Sequence, residues 1–245
     1  MSTQLLSGKS ALVTGGARRI GRALALALGA AGADVAITYR TSDSEAAQTA
    51  GEIEALGRQA LALECDVRSE TSVRRAVEAT LAKFGRLDVL VNNAAIFETV
   101  PLESITLDQW DAVFQTNTRG PFLVAREALP HLRSTNGRII NIGSLGGVQP
   151  WANHAHYCSS KAALHMLTAT MAKAFAPQVS VNCVAPGWIE LDQSLGKAAA
   201  RFAAKTPMQR NGTAEDVAQA VLFFATSPAF ITGQVMAVDG GLGLT

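Results

Sequence analysis

Ala11-Leu12-Val13-Thr14-Gly15-Gly16-Ala17-Arg18-Arg19-Ile20-Gly21 passes from a short apolar run through a glycine turn into an alanine-rich helix. Glycine lets the backbone bend sharply and approach a phosphate, and a helix N-terminus offers free N–H donors and a favourable dipole. An ordinary strand-to-helix turn uses glycine for positive φ alone, but the place of this turn after the first strand favours the phosphate reading. Neither Gly-x-Gly-x-x-Gly nor Gly-x-x-x-x-Gly-Lys-Ser/Thr is present, which argues against the ordinary dinucleotide fingerprint and against a nucleotide triphosphatase.

Working outward, similar apolar runs recur at residues 35–38, 60–63, 89–91, 138–142, 179–181 and 234–238. Each reads as a buried strand. Between them, Gly21 to Ala31, Ser44 to Leu56, Ser69 to Phe84, Leu107 to Leu132, His156 to Phe175 and Ala214 to Ala225 have helical periodicity. This alternation predicts an α/β fold with a doubly wound parallel sheet of about seven strands, because parallel neighbours need crossover connections and these place helices on both faces. No linker or repeat divides residues 1–245, so one domain is expected. Ligands bind beyond the carboxyl ends of such strands. The irregular stretch 186–207, after the sixth strand, is the candidate for a substrate loop or lid carrying a short helix.

Composition narrows the partners. The 21 basic residues nearly balance 20 acidic ones with no basic stripe, so neither nucleic acid nor an acidic membrane is expected, and a small molecule is. Three scattered cysteines and four histidines build neither a disulfide framework nor a metal site. No secretory signal opens the chain, and the longest apolar stretch, Ala23 to Ala33, is too short to span a bilayer, so a cytoplasmic protein is expected.

Two constellations carry chemistry. Tyr157 and Lys161 lie one helical turn apart, with Ser144 upstream at the end of a strand-like run. A cation beneath the phenol favours its ionised form, and the serine hydroxyl can hold a substrate oxygen. Alone the pair is weak, since Tyr and Lys share many exposed helix faces. At the end of the second strand, where an NAD-selective site carries an acid, no acid occurs until Asp43. Arg40, Ser42 and Arg18 suit a 2′-phosphate instead, which favours NADP(H) over NAD.

With these positions in hand, nearly the whole chain resembles the short-chain dehydrogenase/reductase family. The resemblance rests on Thr14-Gly15 and Gly21, Asp66-Val67, Asn92-Asn93-Ala94-Ala95, Asn117, Ser144, Tyr157-x-x-x-Lys161 and Pro186-Gly187, in family order. It implies a Rossmann-type fold, NADP(H), and exchange of a hydride between nicotinamide and a carbonyl/alcohol pair. Tyr157 would be the general acid or base, Lys161 would lower its pKa and bind the nicotinamide ribose, and Ser144 would orient the substrate oxygen. Asn117 would hold a water linking Lys161 to solvent. Asp66 would contact adenine, with Val67 beside it, while Asn92, Asn93 and Ala94 would line its ribose. Gly15, Arg18, Arg19, Ile20 and Gly21 would surround the phosphates, and Pro186, Gly187 and Ile189 the nicotinamide. Asp66 as a helix N-cap and Asn117 as a partner for backbone groups in a helix kink are the structural alternatives. A homo-oligomer is implied, a tetramer ahead of a dimer, through residues 107–132 and 156–175 and the C-terminal region.

Several positions depart from the pattern. Arg19 replaces the usual second glycine, and Ala95 the usual last glycine of Asn-Asn-Ala-Gly. Arg19 and the following aromatic, Phe97, are similar to the pteridine reductase branch, but Ser144 stands where that branch usually has aspartate. A ketone or secondary alcohol is therefore the first expectation and a dihydropterin or dihydrofolate the second; an idle NADP-binding sensor or scaffold is the alternative from another class. Leu191 occupies the place where many members use threonine for the nicotinamide carboxamide. Phe97, Trp151 and Trp188 are candidates to wall an apolar substrate pocket, Phe97 and Trp188 being taken with Ser144 as substrate-binding.

Overall fold

The computed structural model describes residues 4–191 and 196–245. Seven strands form one all-parallel sheet: β1 (Ser10–Val13), β2 (Asp34–Tyr39), β3 (Ala60–Glu64), β4 (Val89–Asn92), β5 (Arg138–Ile142), β6 (Ser180–Pro186) and β7 (Val235–Val238). Their order, β3-β2-β1-β4-β5-β6-β7, reverses direction between β1 and β4, and a ligand crevice is expected outside the strand ends at that switch point.

Alternation along each strand divides the core. Val13, Ile37, Val91, Ile140 and Val184 pack on one face against α1 (Arg19–Ala30), α2 (Asp43–Ala55) and α8 (Ala214–Thr226), supplied by Leu24, Leu28, Ile53, Val217 and Phe224. Leu12, Leu90, Ile139 and Val181 face the opposite layer of α3 (Glu70–Phe84), α5 (Gly120–Thr135) and α6 (Ala155–Phe175), meeting Val77, Leu123, Leu132 and Met171. The period-two pattern thus places successive strand residues in different cores. No described helix is long and apolar enough to cross a membrane.

Two expected elements differ. The predicted helix 107–132 is α4 (Leu107–Phe114), a π-helical turn (Gln115–Arg119) and α5. Pro121 has no N–H to give the Asn117 carbonyl, so a regular α-ladder cannot continue there. The strand expected at 179–181 runs on to Pro186 because its polar Asn182 is satisfied internally: Nδ2 donates to the Ile231 carbonyl at 2.8 Å and Oδ1 accepts from the Gln234 amide at 3.0 Å. In the expected lid, α7 (Gly196–Lys205) is the short helix, while residues 192–195 lie outside the described residues.

Candidate active site

One cavity of about 1240 Å³ opens at the carboxyl ends of the strands. It gathers Gly15, Arg18, Arg19, Ile20, Gly21, Arg40, Ser42, Asp66, Val67, Asn93, Ala94, Pro186, Gly187 and Ile189 along one length, with Phe97, Ser144, Tyr157, Lys161 and Trp188 in the same hollow. Asn117 is fully buried and does not line it.

The glycine turn is packed too closely for larger residues at two positions. Gly15 has φ +64°, and a Cβ there would lie 3.0 Å from the Ala94 Cα. A Cβ on Gly21 would collide with the Gly15 carbonyl oxygen and lie 2.7 Å from Asn93 Nδ2. Asn93 Nδ2 donates to the carbonyls of Thr14 and Gly15 at 2.9 and 3.0 Å, locking β4 to the turn. No side chain caps the start of α1, so the first-turn amides remain open to an anion. Arg19 adopts φ +53°, a left-handed conformation that explains why glycine is usual at its place.

At the end of β2, Arg40, Thr41 and Ser42 line the cavity and Asp43 does not, being in the first turn of α2. Asp66 forms a forked ion pair with Arg68, whose Nε and Nη2 approach to 2.9 and 2.6 Å. The Arg68 hydrogen bond holds the Asp66 carboxyl below its ordinary range, and Arg40 pulls in the same direction. The cap of α3 is Ser69, accepting from the Ser72 amide, so Asp66 is not that cap.

The reactive end is built between β5 and α6. Lys161 is buried and its Nζ donates to the Ile142 carbonyl at 2.7 Å. Burial pulls the ammonium down from 10.5 to about 8. Tyr157 is half-buried, its ring centroid 5.8 Å from that nitrogen. Desolvation raises its phenol above the ordinary value, and the neighbouring Ser144 hydroxyl opposes the rise. The downward pull expected from Lys161 is therefore not the dominant influence on the tyrosine. Ser144 is buried, and its Oγ accepts from the Gly146 amide at 3.0 Å.

Asn117 sits in the π turn and uses its side chain as a clamp. Oδ1 accepts from the Ile96 amide at 2.8 Å, and Nδ2 donates to the Ile96 carbonyl at 2.9 Å and to Ser160 Oγ at 3.1 Å. The backbone-satisfying alternative is thus present, directed at the loop after β4. That loop carries Phe97, which stacks on His154 at 4.7 Å and meets Tyr157 edge-on at 4.8 Å. Trp188 stacks on Phe202 of α7 at 4.0 Å, and Leu191 also lines the cavity.

Sequence reasoning missed Phe202, Arg201 and Lys205, which α7 presents to the cavity; their signal was one helical face within an irregular stretch. It also missed His165, one turn beyond Lys161 on α6, whose Nε2 accepts from the Ser144 amide at 3.4 Å. The i, i+4, i+8 series Tyr157, Lys161, His165 was the available signal. His154 holds the loop, its Nδ1 2.9 Å from the Glu98 carbonyl, while the buried His156 lies 3.8 Å from the Glu98 carboxylate. Among the described residues no cluster could hold a metal ion.

The strand order, the glycine turn at its switch point and a phenol–ammonium–hydroxyl set in one crevice define a nicotinamide-dependent oxidoreductase. A family profile described as enoyl-(acyl carrier protein) reductase matches residues 15–243, and the chain belongs to the short-chain dehydrogenase/reductase family. It is 40% identical over 241 residues to a 3-oxoacyl-[acyl-carrier-protein] reductase of Synechocystis, covering 97% of this chain and 98% of that one. A putative short-chain alcohol dehydrogenase of Sinorhizobium meliloti superposes with TM-score 0.93 at 34% identity, covering 99% of both chains. A blue fluorescent protein from a metagenomic library, solved in complex with NADPH, does so with TM-score 0.90 at 38% identity, covering 97% of this chain and 98% of that one.

Proposed function

We propose that this protein is an NADP(H)-dependent carbonyl reductase, acting on a ketone and, in reverse, on the secondary alcohol. The observation that carries the reading is the meeting of Ser144, Tyr157 and Lys161 in one cavity with Arg18, Arg40 and Ser42, where the end of β2 brings no acid to the lining. A bound dinucleotide would supply the hydride. Ser144 and the Tyr157 hydroxyl hold the substrate oxygen. When a carbonyl is reduced, its oxygen would take the Tyr157 phenolic proton; the raised phenol stays protonated at neutral pH, as a proton donor must. Lys161, buried beneath the ring, offsets the phenolate left behind. Arg40, Arg18 and Ser42 would hold the 2′-phosphate, and Arg19 with the first-turn amides of α1 would hold the pyrophosphate. Pro186, Gly187 and Ile189 wall the nicotinamide.

A dihydropterin is the second reading, supported by Arg19 and by Phe97 lying edge-on to Tyr157 in the cavity. The test is a screen of NADPH and NADH oxidation against ketones, quinones, β-ketoacyl thioesters and dihydropterins. NADPH-dependent ketone reduction is expected, with Arg40→Ala weakening NADPH but not NADH. Equal use of the two cofactors overturns the NADP assignment, and dihydrobiopterin turnover matching the best ketone reverses the substrate order.

A further inference from the structure

The chain leaves the sheet immediately before the candidate catalytic serine. Gly143 makes the final ladder bond, its amide donating to the Val184 carbonyl at 2.7 Å. The next amide, that of Ser144, is buried and has no strand opposite it. An unsatisfied N–H at this point would let the serine swing, and His165 is placed to prevent that. Its Nε2 accepts from the Ser144 amide at 3.4 Å, at the long end of the hydrogen-bonding range.

The surrounding backbone is shaped to admit the imidazole. A Cβ on Gly143 would overlap His165 Nε2, and one on Gly147 would lie 2.5 Å from His165 Cε1 and 2.8 Å from Nδ1. The ring therefore fits between two glycines that bracket Ser144 and its 3-10 turn. From the same helix, Lys161 ties down the carbonyl of Ile142, and Thr168 accepts from Asn141 Nδ2 at 2.9 Å. One face of α6 thus grips β5 and its exit at three points.

We infer that His165 is a positioning residue for Ser144, acting as a neutral imidazole that carries its proton on Nδ1 and accepts the serine amide at Nε2. Only this tautomer can make the bond, because a protonated Nε2 would face another donor. Burial and the neighbouring Lys161 charge pull the imidazole down to about 4, keeping the acceptor available at neutral pH.

The inference rests on the carbonyl-reductase reading for its kinetic arm only. The independent arm is nitrogen NMR of the full chain labelled at its four histidines, with the signal lost in His165→Gln assigning His165. An unprotonated Nε2 and a protonated Nδ1 at pH 7 are expected; a protonated Nε2 overturns the inference. In the kinetic arm, with ethyl acetoacetate and NADPH, His165→Leu should lower kcat about tenfold by leaving the amide unpaired. The KM for NADPH should stay within about twofold, and His165→Gln, whose amide oxygen can accept, should recover most of kcat. Equal kcat in the Leu and Gln variants, or full kcat in the Leu variant, overturns it. Should the wild type leave ethyl acetoacetate unreduced, that substrate assignment fails and the tautomer alone decides; the same holds if the Leu variant does not fold.

Discussion

Lys161 Nζ lies 5.8 Å from the ring centroid of Tyr157 while donating to the Ile142 carbonyl at 2.7 Å. The cation is thus anchored to the sheet and carried beneath the phenol by one turn of α6. Tyr157→Phe removes the transferable proton with little change in volume. Ketone reduction should fall by about 10²–10⁴-fold, the range of general acid catalysis. NADPH affinity, followed by cofactor fluorescence, should change little; retained turnover would remove Tyr157 from the mechanism.

Burial of Lys161 also makes stability depend on pH. Its pKa falls from 10.5 to about 8 on folding, so the native state binds fewer protons than the unfolded chain between those values. The lysine's contribution to stability therefore rises with pH across that window. Cys183 opposes it: burial pushes the thiol from 9.0 to about 12, so its contribution is lost as pH rises through that range. The difference between wild type and Lys161→Met reports the lysine together with its coupling to Cys183. Urea unfolding should show the variant's relative advantage shrinking by about 3 kcal/mol from pH 7 to pH 10.5. A flat difference would mean that the lysine is not desolvated.

The buried chain Asn92–Asn141–Thr168 pins α6 to the sheet, with both side-chain hydrogen bonds at 2.9 Å. Thr168→Val keeps the shape and leaves Asn141 Nδ2 without its acceptor. A loss of about 1–3 kcal/mol is expected in urea unfolding. A neutral effect would show that another acceptor reaches the amide.

Much of this architecture was legible as pattern. Apolar runs such as Leu90 and Val91 register in two cores, and their spacing by helical segments forces parallel crossovers. Many cavity-lining residues follow strand ends, which topology brings together. What escaped was polar satisfaction across elements. Asn182 concealed four further residues of β6 because its partners, Ile231 and Gln234, are distant in sequence. His165 looked like an ordinary helical residue until Gly143 and Gly147 were seen to make room for it. The π turn at Asn117 required recognising that Pro121 withholds a donor one turn later.

Arg19 sets local strain against ligand charge. Its φ of +53° in the first helical position is one that glycine adopts freely and an arginine does not. The side chain nevertheless lines the cavity beside Arg18, where cofactor phosphates are proposed to bind. Arg19→Gly should therefore separate the two effects. Relief of the left-handed backbone should offset glycine's greater unfolded-state entropy, leaving apo stability within about 1 kcal/mol of wild type. Loss of one cation near the phosphates should weaken NADPH by about five- to fiftyfold, with a shallower salt dependence. Calorimetric titration at two ionic strengths measures both, and an unchanged NADPH affinity would place the guanidinium away from the phosphates.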